Sequence, residues 1–392
     1  MALAAHIRDT ACIGRDWSGW PEEFQDPDSD SVKAFRESHA PEVDFQMFVQ
    51  WVLDQQLEQV AEAAGDMPVG LYQDLAVGSS DCGSDTWAHQ GVFALGMNTG
   101  APPDDFNPMG QNWIFPPLLP EQLRQSGYEV FIKTLRSNLR HSGALRIDHA
   151  LGLFRLFFIP EGRPASEGTY VDYPAEDLLK IIALESVRAG AAIIAEDLGT
   201  ITDEARRGFG KMGMLSYRIL YFERDWEHET FLPPESYPEE SLSAVNTHDL
   251  PTLRGFWEAR DISIRKNLGI TDDQAHDEAL AQRDIERSRL KDALSPFIPQ
   301  EGGDEMRKIS LAAHSFLAST PSLLTSTSLD DINGSPDQQN MPGTTSGHPN
   351  WRRKSPVTLE GLQGQYKQNE SLLAPLVHIY RETYRTLDER DV

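Results

Sequence analysis

The chain has 392 residues, of which 39% are hydrophobic, so it is long enough to form a large hydrophobic core. Its formal net charge of −26 argues against nucleic acid or an anionic membrane as a partner, because like charges repel. Two cysteines, Cys12 and Cys82, are too few for a disulfide framework and fit a reducing compartment.

The amino-terminal residues contain no basic segment that leads into an apolar one, so the sequence predicts no signal peptide. No run of about 18 apolar residues is present, which excludes a membrane-spanning helix of ordinary length. Together with the cysteine content, these features predict a cytoplasmic protein. Residues 1–44 have mixed periodicity and are predicted to form an irregular or helical amino-terminal segment.

The first regular pattern predicts a helix over residues 43–64, ending near Gly65. Its apolar residues fall at helical spacing and are Phe45, Phe48, Val49, Val52, Leu53, Leu57, Val60 and Ala61.

Short apolar runs then alternate with helical patterns. The runs are residues 69–77, 144–147, 191–195, 214–222, 242–245 and 316–324, and helical patterns between them include residues 120–142 and 175–189. This alternation predicts an α/β fold with a parallel sheet, in which residues 45–392 form one domain.

Three segments do not fit the alternation. Residues 78–119 are rich in Gly, Pro, Asn and Asp and are predicted to form a long structured functional loop. Residues 262–307 read as a highly charged helical insertion, and residues 325–356 as a polar loop.

Three of the predicted strands run into a carboxylate, namely Asp148, Glu196 and Asp249. In a barrel of parallel strands the active site is built at the carboxyl ends of the strands. An acidic residue in this place also commonly caps the following helix, and for each acid alone that alternative stays open. Three such acids in series favour a catalytic site.

The first acid lies in Ala144-Leu145-Arg146-Ile147-Asp148-His149-Ala150. Arg146 and Asp148 are two apart on a strand, so their side chains share a face. A guanidinium beside a carboxylate lowers the pKa of that carboxylate and keeps it ionised, as a nucleophile requires. The alternative is a structural ion pair at a strand end.

The second acid lies in Ile193-Ile194-Ala195-Glu196-Asp197-Leu198-Gly199. A Glu that leaves an apolar strand is partly desolvated, and desolvation raises its pKa toward that of a general acid. Asp197 competes for this role, but it points to the opposite side of the strand, which favours Glu196.

The third acid lies in Val245-Asn246-Thr247-His248-Asp249-Leu250-Pro251. His248 and Asp249 stand side by side at a strand end and can hydrogen-bond hydroxyl groups of a ligand. The alternative is that Asp249 caps a helix that begins near Pro251.

In this order, Arg-Ile-Asp-His, Ala-Glu-Asp-Leu-Gly and Asn-Thr-His-Asp resemble the α-amylase clan and, within it, glycoside hydrolase family 77, the amylomaltases. The likeness extends from about Phe45 to the carboxyl terminus. Further similar segments are Asp85-Thr86-Trp87-Ala88-His89, residues 102–106, residues 110–113, residues 340–344 and residues 349–352.

The resemblance implies a TIM (β/α)8 barrel with insertions and the activity of a 4-α-glucanotransferase. Such an enzyme transfers a segment of an α-1,4-glucan to the 4-position of an acceptor glucan or glucose, by a retaining double displacement through a covalent glycosyl-enzyme. Maltooligosaccharides, starch chains or glycogen chains are the expected partners. No cofactor and no metal are expected, because two carboxylates supply the nucleophile and the proton.

The resemblance also implies roles for single residues. Asp148 is the expected nucleophile, Glu196 the general acid/base, and Asp249 the residue that binds hydroxyls of a distorted glucose. Arg146 is expected to orient Asp148, and His248 to hold the same glucose ring. Further expected glucan contacts are Asp74, Trp87, Asp104, Phe106, Gln111, Trp113 and Asn340.

The sequence departs from the family at its amino-terminal end. The run at residues 69–77 resembles the family's third strand, and no equivalents of the first two strands are found in residues 1–44, so about six strands of an incomplete barrel are expected. Two alternatives stay open: an α-glucan hydrolase of the same clan, and a non-catalytic glucan-binding relative.

Overall fold

The structure is a computed structural model that describes residues 1–11, 16–103, 109–301, 303–344, 346–368, 375–376 and 379–380. It divides into two compact units, Met1–Leu215 and Ser216–Val392.

Unit 1 begins with four helices and then alternates strands and helices. The helices are α1 (Ala2–Ala11), α2 (Glu22–Gln25), α3 (Asp30–Ser38), α4 (Ala40–Ala63), α5 (Ser84–Ala88), α6 (Pro120–Gln125), α7 (Glu129–Leu139), α8 (Ala175–Ala189) and α9 (Asp203–Lys211). The strands are β1 (Tyr72–Leu75), β2 (Met97–Ala101), β3 (Gln111–Asn112), β4 (Ala144–Ile147), β5 (Arg155–Pro160), β6 (Thr169–Asp172) and β7 (Ala192–Ala195).

The central sheet of unit 1 contains the parallel strands β1, β4 and β7 in that order. All four residues of β4 are buried; β4 has a strand on each side, and helices pack on its side chains. Leu145 and Ile193 from the sheet pack with Leu135 of α7, Ile182 of α8 and Phe209 of α9 in one hydrophobic core. This packing holds the carboxyl ends of β4 and β7 side by side.

The segment predicted as a long loop contributes to a second sheet. Strands β3, β2, β5 and β6 form an antiparallel sheet in that order, with Met97 of β2 opposite Pro160 of β5. Gly100 has no room for a side chain, because a Cβ atom there would lie 2.0 Å from the carbonyl oxygen of Gln111. This close approach fixes Gln111 and the following residues against β2.

The first three helices pack around a cluster of aromatic and aliphatic residues. The buried members are Leu3, Ile7, Trp17, Trp20 and Phe35, and Trp87 packs against them. The sequence predicts an irregular or helical segment over residues 1–44, and the described residues of this segment are largely helical. The domain boundary at residue 44 stays a prediction.

The helix predicted over residues 43–64 is confirmed as α4, which ends at Ala63. None of its residues is buried, and large apolar side chains such as Phe45, Phe48 and Trp51 are exposed. The apolar pattern therefore predicted the helix correctly, but the described residues do not bury the apolar side chains of this helix.

Unit 2 contains three further parallel strands. Its strands are β8 (Leu215–Ile219, whose first residue ends unit 1), β9 (Arg224–Asp225), β10 (Thr230–Phe231), β11 (Ser241–Ala244) and β12 (Leu324–Ser326). Its helices are α10 (Leu253–Trp257), α11 (Arg260–Asn267), α12 (Asp273–Leu294), α13 (Glu305–Ala318), α14 (Leu329–Ile332) and α15 (Leu359–Gln368). β11 pairs in parallel with β8 on one side and β12 on the other. The helical character predicted for residues 262–307 is confirmed by α11, α12 and the start of α13.

The strand predicted over residues 316–324 is misplaced. Phe316 and Leu317 belong to α13, where they are buried, and the strand that pairs with β11 is Leu324–Ser326. A helix that is buried nearly all round gives a short apolar run without a 3.6-residue period, so the run alone does not distinguish it from a strand.

The described residues thus contain six parallel strands, three in each unit, with helices between them, and the predicted α/β class is confirmed. None of the described helices combines the length and the apolar character that a membrane crossing requires.

Candidate active site

The carboxyl ends of β4 and β7 place two carboxylates on neighbouring strands. Ile147 is paired with Ala195 in the parallel register, and Asp148 and Glu196 are the next residues of their strands. The ladder continues past the strand ends, because the Glu196 amide donates to the Ile147 carbonyl at 3.0 Å. Adjacent strands lie about 4.8 Å apart, so the two acids leave the sheet as neighbours.

Arg146 links Asp148 to a third carboxylate. Its guanidinium lies 2.7 Å from Asp148 Oδ1 through one terminal nitrogen and 2.6 Å from Asp74 Oδ1, at the end of β1, through the other. The Arg146 side chain is buried; burial acts to lower its pKa, but Asp148 and Asp74 outweigh burial and raise the pKa above its usual range. The predicted Arg146–Asp148 ion pair is confirmed, and Arg146 stays charged at any pH at which the protein folds.

Glu196 is in a different environment from Asp148. Its carboxylate accepts hydrogen bonds from the backbone amides of His149, at 2.8 Å, and Leu198, at 3.2 Å. Burial and then the charge of Asp148 raise the pKa of Glu196 to about 7, although Arg146 and the two amides act in the opposite direction. The desolvation predicted from the apolar strand is confirmed, and Glu196 is poised to exchange a proton near neutral pH.

His149 shapes the space beside these acids. Its backbone has φ of +46°, an uncommon conformation for a residue other than glycine, and its amide points at Glu196. Its ring meets Trp113 edge to face at 5.0 Å between centroids, and Trp113 donates to Gln111 Oε1 at 3.1 Å. Burial lowers the pKa of His149 to about 4, so its ring is neutral at neutral pH.

Asp74, Asp148 and His149 are among the residues that line a cavity of about 400 Å³ in unit 1. The other walls are mostly apolar and include Phe93 and Leu156. A cavity that combines apolar walls with a few convergent charged groups is typical of ligand-binding sites.

The third predicted acid, Asp249, lies in unit 2 in the turn after β11. Asn340 donates to its Oδ1 at 2.6 Å, and His248 Nε2 lies 3.2 Å from its Oδ2. The Asn340 amide also donates to the His248 carbonyl at 3.1 Å. Asn340, which was predicted separately from the His248–Asp249 pair, is therefore brought together with it. Asp249 does not cap α10, because that role belongs to Thr252.

Two residues near this group were not predicted from the sequence. Trp351, whose backbone has φ of +58°, places its ring 4.8 Å from that of His248. Asp331 is buried and accepts from the Asn246 side chain at 2.8 Å and the Leu253 amide at 2.7 Å, thereby tying together both ends of the turn. Trp351 lies within one of the segments that resemble the family. Asp331 gave no signal in the sequence, because its partner Asn246 is 85 residues away along the chain.

The remaining predicted residues are placed differently. Trp87 packs in the cluster of the first three helices, where its indole donates to the Phe24 carbonyl at 3.1 Å. Asp104 and Phe106 lie outside the described residues. Within the described part of the chain, no group of three or more His, Cys, Asp or Glu residues is arranged to hold a metal ion.

Many sugar-processing enzymes have an α/β fold with two carboxylates at the carboxyl ends of adjacent parallel strands. The model of glycoside hydrolase family 77, described as 4-alpha-glucanotransferase, matches residues 1–358. The 4-alpha-glucanotransferase of Mycobacterium tuberculosis H37Rv is 39% identical over 358 residues, which are 90% of this chain and 49% of the relative. That of Haemophilus influenzae is 35% identical over 363 residues, 90% of this chain and 51% of the relative. The chain belongs to glycoside hydrolase family 77.

Solved structures agree with this assignment. The amylomaltase from Corynebacterium glutamicum has a TM-score of 0.77 and 34% identity, over 88% of this chain and 50% of that one. An amylomaltase from Streptococcus agalactiae, solved in complex with acarbose, has a TM-score of 0.76 at 20% identity, over 98% of this chain and 70% of that one, and supports the fold alone. The fold is of the TIM-barrel type that these neighbours have. The chain spans about half the length of the curated relatives it matches.

Proposed function

We propose that this chain is a 4-α-glucanotransferase that works by a retaining double displacement on α-1,4-glucans. The Asp148 carboxylate attacks the anomeric carbon of a donor glucan while Glu196 gives its proton to the departing 4-oxygen. The glycosidic bond breaks, and a covalent glycosyl-enzyme forms on Asp148. Glu196 then removes the proton from the 4-hydroxyl of an acceptor glucan or glucose, which attacks the same carbon and releases Asp148.

The observation that carries this proposal is the contrast between two neighbouring carboxyl groups. Asp148 is in contact with the buried Arg146 guanidinium, whereas the pKa of Glu196 is raised to about 7. Two carboxyl groups with such different environments are suited to act as nucleophile and acid. A retaining mechanism requires a separation of about 5–5.5 Å, which is close to the spacing of adjacent strands.

We assign the other predicted residues supporting roles. Arg146 orients Asp148, and Asp249 with His248 and Asn340 binds sugar hydroxyl groups. Asp74, Gln111 and Trp113 are proposed glucan contacts near Asp148; Trp87, Asp104 and Phe106 are proposed as contacts on the family resemblance only. Because Trp87 is engaged by the amino-terminal helices, its role is the least supported by the described contacts. A cytoplasmic location is proposed on the low cysteine content.

The experiment is product analysis of the full chain with maltotriose. Transfer gives a ladder of longer and shorter oligosaccharides without a net gain of reducing ends, whereas hydrolysis gives that gain. We expect transfer, and we expect Asp148→Asn to reduce it by at least about 10³-fold, because a carboxamide does not form the glycosyl-enzyme.

The matched control is Asp54→Asn, which removes another ion-paired aspartate of unit 1, bonded to Arg140 and His141 and away from the strand ends. It should leave the product ladder unchanged. Net hydrolysis would replace the transferase assignment with the hydrolase. Equal activity of Asp148→Asn and the unmodified chain would refute the mechanism.

A further inference from the structure

The turn that carries Asp249 is bonded to a second segment of unit 2. We call residues 246–253 the Asp249 turn and residues 331–340 the supporting segment. Near the end of the turn, the Thr252 hydroxyl donates to the Ser335 carbonyl of the supporting segment at 2.6 Å. The conformation of the Asp249 turn is therefore set by contacts between two segments that are far apart in the sequence.

Asp331 is the first residue of the supporting segment, and it joins the two ends of the Asp249 turn. Its Oδ2 accepts from the Asn246 side chain at 2.8 Å, and its Oδ1 accepts from the Leu253 amide at 2.7 Å. Because one carboxylate makes both bonds, they fix the first and the last residue of the turn relative to each other. His248 and Asp249 lie between these two fixed points.

A carboxylate is an unfavourable choice for this position if packing alone is considered. The exposed fraction of Asp331 is 3%, and no described Lys, Arg or His forms an ion pair with it. Burial raises the pKa of Asp331 to about 6, although the Leu253 amide and the Asn246 side chain act in the opposite direction. An apolar residue of similar size would avoid this desolvation. What the carboxylate adds is two acceptors at a defined spacing, and the Asp249 turn occupies both.

The two helices that meet at Asp331 each have another residue as their N-cap. The Thr252 hydroxyl caps α10 by accepting from the Gly255 amide at 2.9 Å. The Ser328 hydroxyl caps α14 by accepting from the Asp330 amide at 3.2 Å. The bonds of Asp331 therefore connect α14 to both ends of the turn, which neither helix requires in order to begin.

We propose that Asp331 is a positioning residue for glucan transfer, which acts by holding the Asp249 turn in the conformation that binds the reacting glucose. This inference rests on the proposed function of Asp249. Asp331 is buried and acts only through the turn. Its loss should lower turnover more than substrate binding, because a small displacement of a group that binds the transition state reduces the rate.

The first test needs no substrate and compares hydrogen exchange in the full chain with that in Asp331→Ala. We expect the amides of residues 246–253 to exchange at least about tenfold faster in the variant, because the turn has lost the bonds at both of its ends. The amides of β11 should exchange as in the unmodified chain. Unchanged exchange in the Asp249 turn would overturn the proposal, whether or not the chain transfers glucan.

The second test measures transfer from maltotriose. Asp331→Ala should reduce kcat by about 100-fold and change KM by less than about threefold. An equal loss in kcat and in substrate affinity would show that the site as a whole is disrupted, and it would contradict a positioning role. If the unmodified chain transfers no glucan, the proposed function is refuted, and hydrogen exchange alone decides whether Asp331 holds the turn.

A reciprocal exchange of two side chains separates positioning from folding. Asp331→Asn alone places an amide donor against one of the two existing donors, so it should reduce kcat. In the double variant with Asn246→Asp, the new carboxamide keeps its oxygen for the Leu253 amide and donates its NH2 to the carboxylate at position 246. This variant should recover at least about tenfold in kcat over Asp331→Asn. A double variant that is no more active than the single one would overturn the proposal.

The matched control is Asp261→Asn in α11. It removes another largely buried aspartate of unit 2, which is ion-paired with Arg283 at 2.8 Å and lies outside the Asp249 turn. This variant should be less stable in urea but should keep kcat within about twofold, because it leaves both ends of the turn bonded. A loss of kcat as large as that of Asp331→Ala would show that stability, and not the position of the turn, governs the rate.

Discussion

Asp148 and Glu196 follow neighbouring strands, yet the protein treats their charges differently. Arg146 neutralises Asp148 through a direct contact. Among the described residues, Glu196 accepts from two backbone amides, and burial together with the charge of Asp148 raises its pKa. Ionisation of Glu196 is therefore less favourable in the folded protein than in the unfolded chain. This difference should appear as a pH dependence of stability, even without substrate.

We predict that this dependence disappears in Glu196→Gln. The folded pKa of Glu196, about 7, lies above an unfolded value of about 4.3. Its contribution to stability is thus complete below about pH 4.3 and is lost as the pH rises through 7. At about 1.4 kcal/mol per pKa unit the loss is roughly 3 kcal/mol at most, because Glu196 is only partly buried.

The measurement is the free energy of unfolding in urea at several pH values between 4.5 and 8. The unmodified chain should lose more stability over this range than Glu196→Gln, whose amide does not titrate. Parallel curves for the two proteins would contradict the raised pKa.

For individual residues, the sequence predicted contacts within one strand better than contacts between neighbouring strands. The Arg146–Asp148 pair follows from a spacing of two residues, and the desolvation of Glu196 follows from its apolar strand. The second partner of Arg146, Asp74, and the amide of His149 that binds Glu196 depend on the register between strands. That register is set by packing, and no local pattern encodes it.

At the scale of elements, β4 is positioned by a close approach of two backbone segments. A Cβ atom on Gly143, the residue before β4, would lie 1.5 Å from the carbonyl oxygen of Val69, before β1. The Gly143 amide also donates to the Leu71 carbonyl at 2.9 Å, so the two segments are held together. The residue that precedes the strand carrying Arg146 therefore has to be glycine.

We predict that Gly143→Ala destabilises the protein by at least about 3 kcal/mol, because a backbone clash is not relieved by a change of rotamer. Thermal or urea unfolding measures the effect. Gly210→Ala in α9 is the matched control, since a Cβ atom there meets nothing within 4 Å. The control should be neutral or stabilising by up to about 1 kcal/mol, because alanine favours helix. Similar stability of the two variants would mean that the segments separate easily.

The elements themselves were largely predictable. The strand at Ala144–Ile147 and the helix at Ala175–Ala189 lie where their patterns placed them. The misplaced strand at residues 316–324 and the exposed apolar side chains of α4 share one cause. A pattern of apolar residues identifies the side chains that can be buried, but tertiary contacts decide which elements bury them.

At the scale of the whole molecule, net charge and the exposed apolar side chains of α4 have opposite effects on self-association. We call Phe45, Phe48, Val49, Leu53 and Val60 the α4 stripe; their exposed fractions lie between 40% and 60%. The net charge of −26 keeps copies of the chain apart at neutral pH, and the sequence pI is about 4.7. The exposed apolar stripe favours association once this repulsion is removed. The stripe should therefore control self-association only under conditions in which charge is titrated or screened.

We predict that the isolated chain remains monomeric at pH 7 and low salt, and self-associates as the pH falls toward 4.7 or as salt shortens the Debye length from about 30 Å at 0.01 M to about 3 Å at 1 M. Light scattering across pH and salt measures this. Phe48→Glu with Leu53→Glu should reduce association strongly in high salt at pH 7, because it interrupts the apolar surface. Salt screens the two added charges there, so the reduction does not come from repulsion between copies. Val187→Glu adds charge at an 80% exposed valine of α8, outside the stripe, and should associate as the unmodified chain does. Equal suppression by both variants would show that net charge alone governs association and that the α4 stripe plays no part in it.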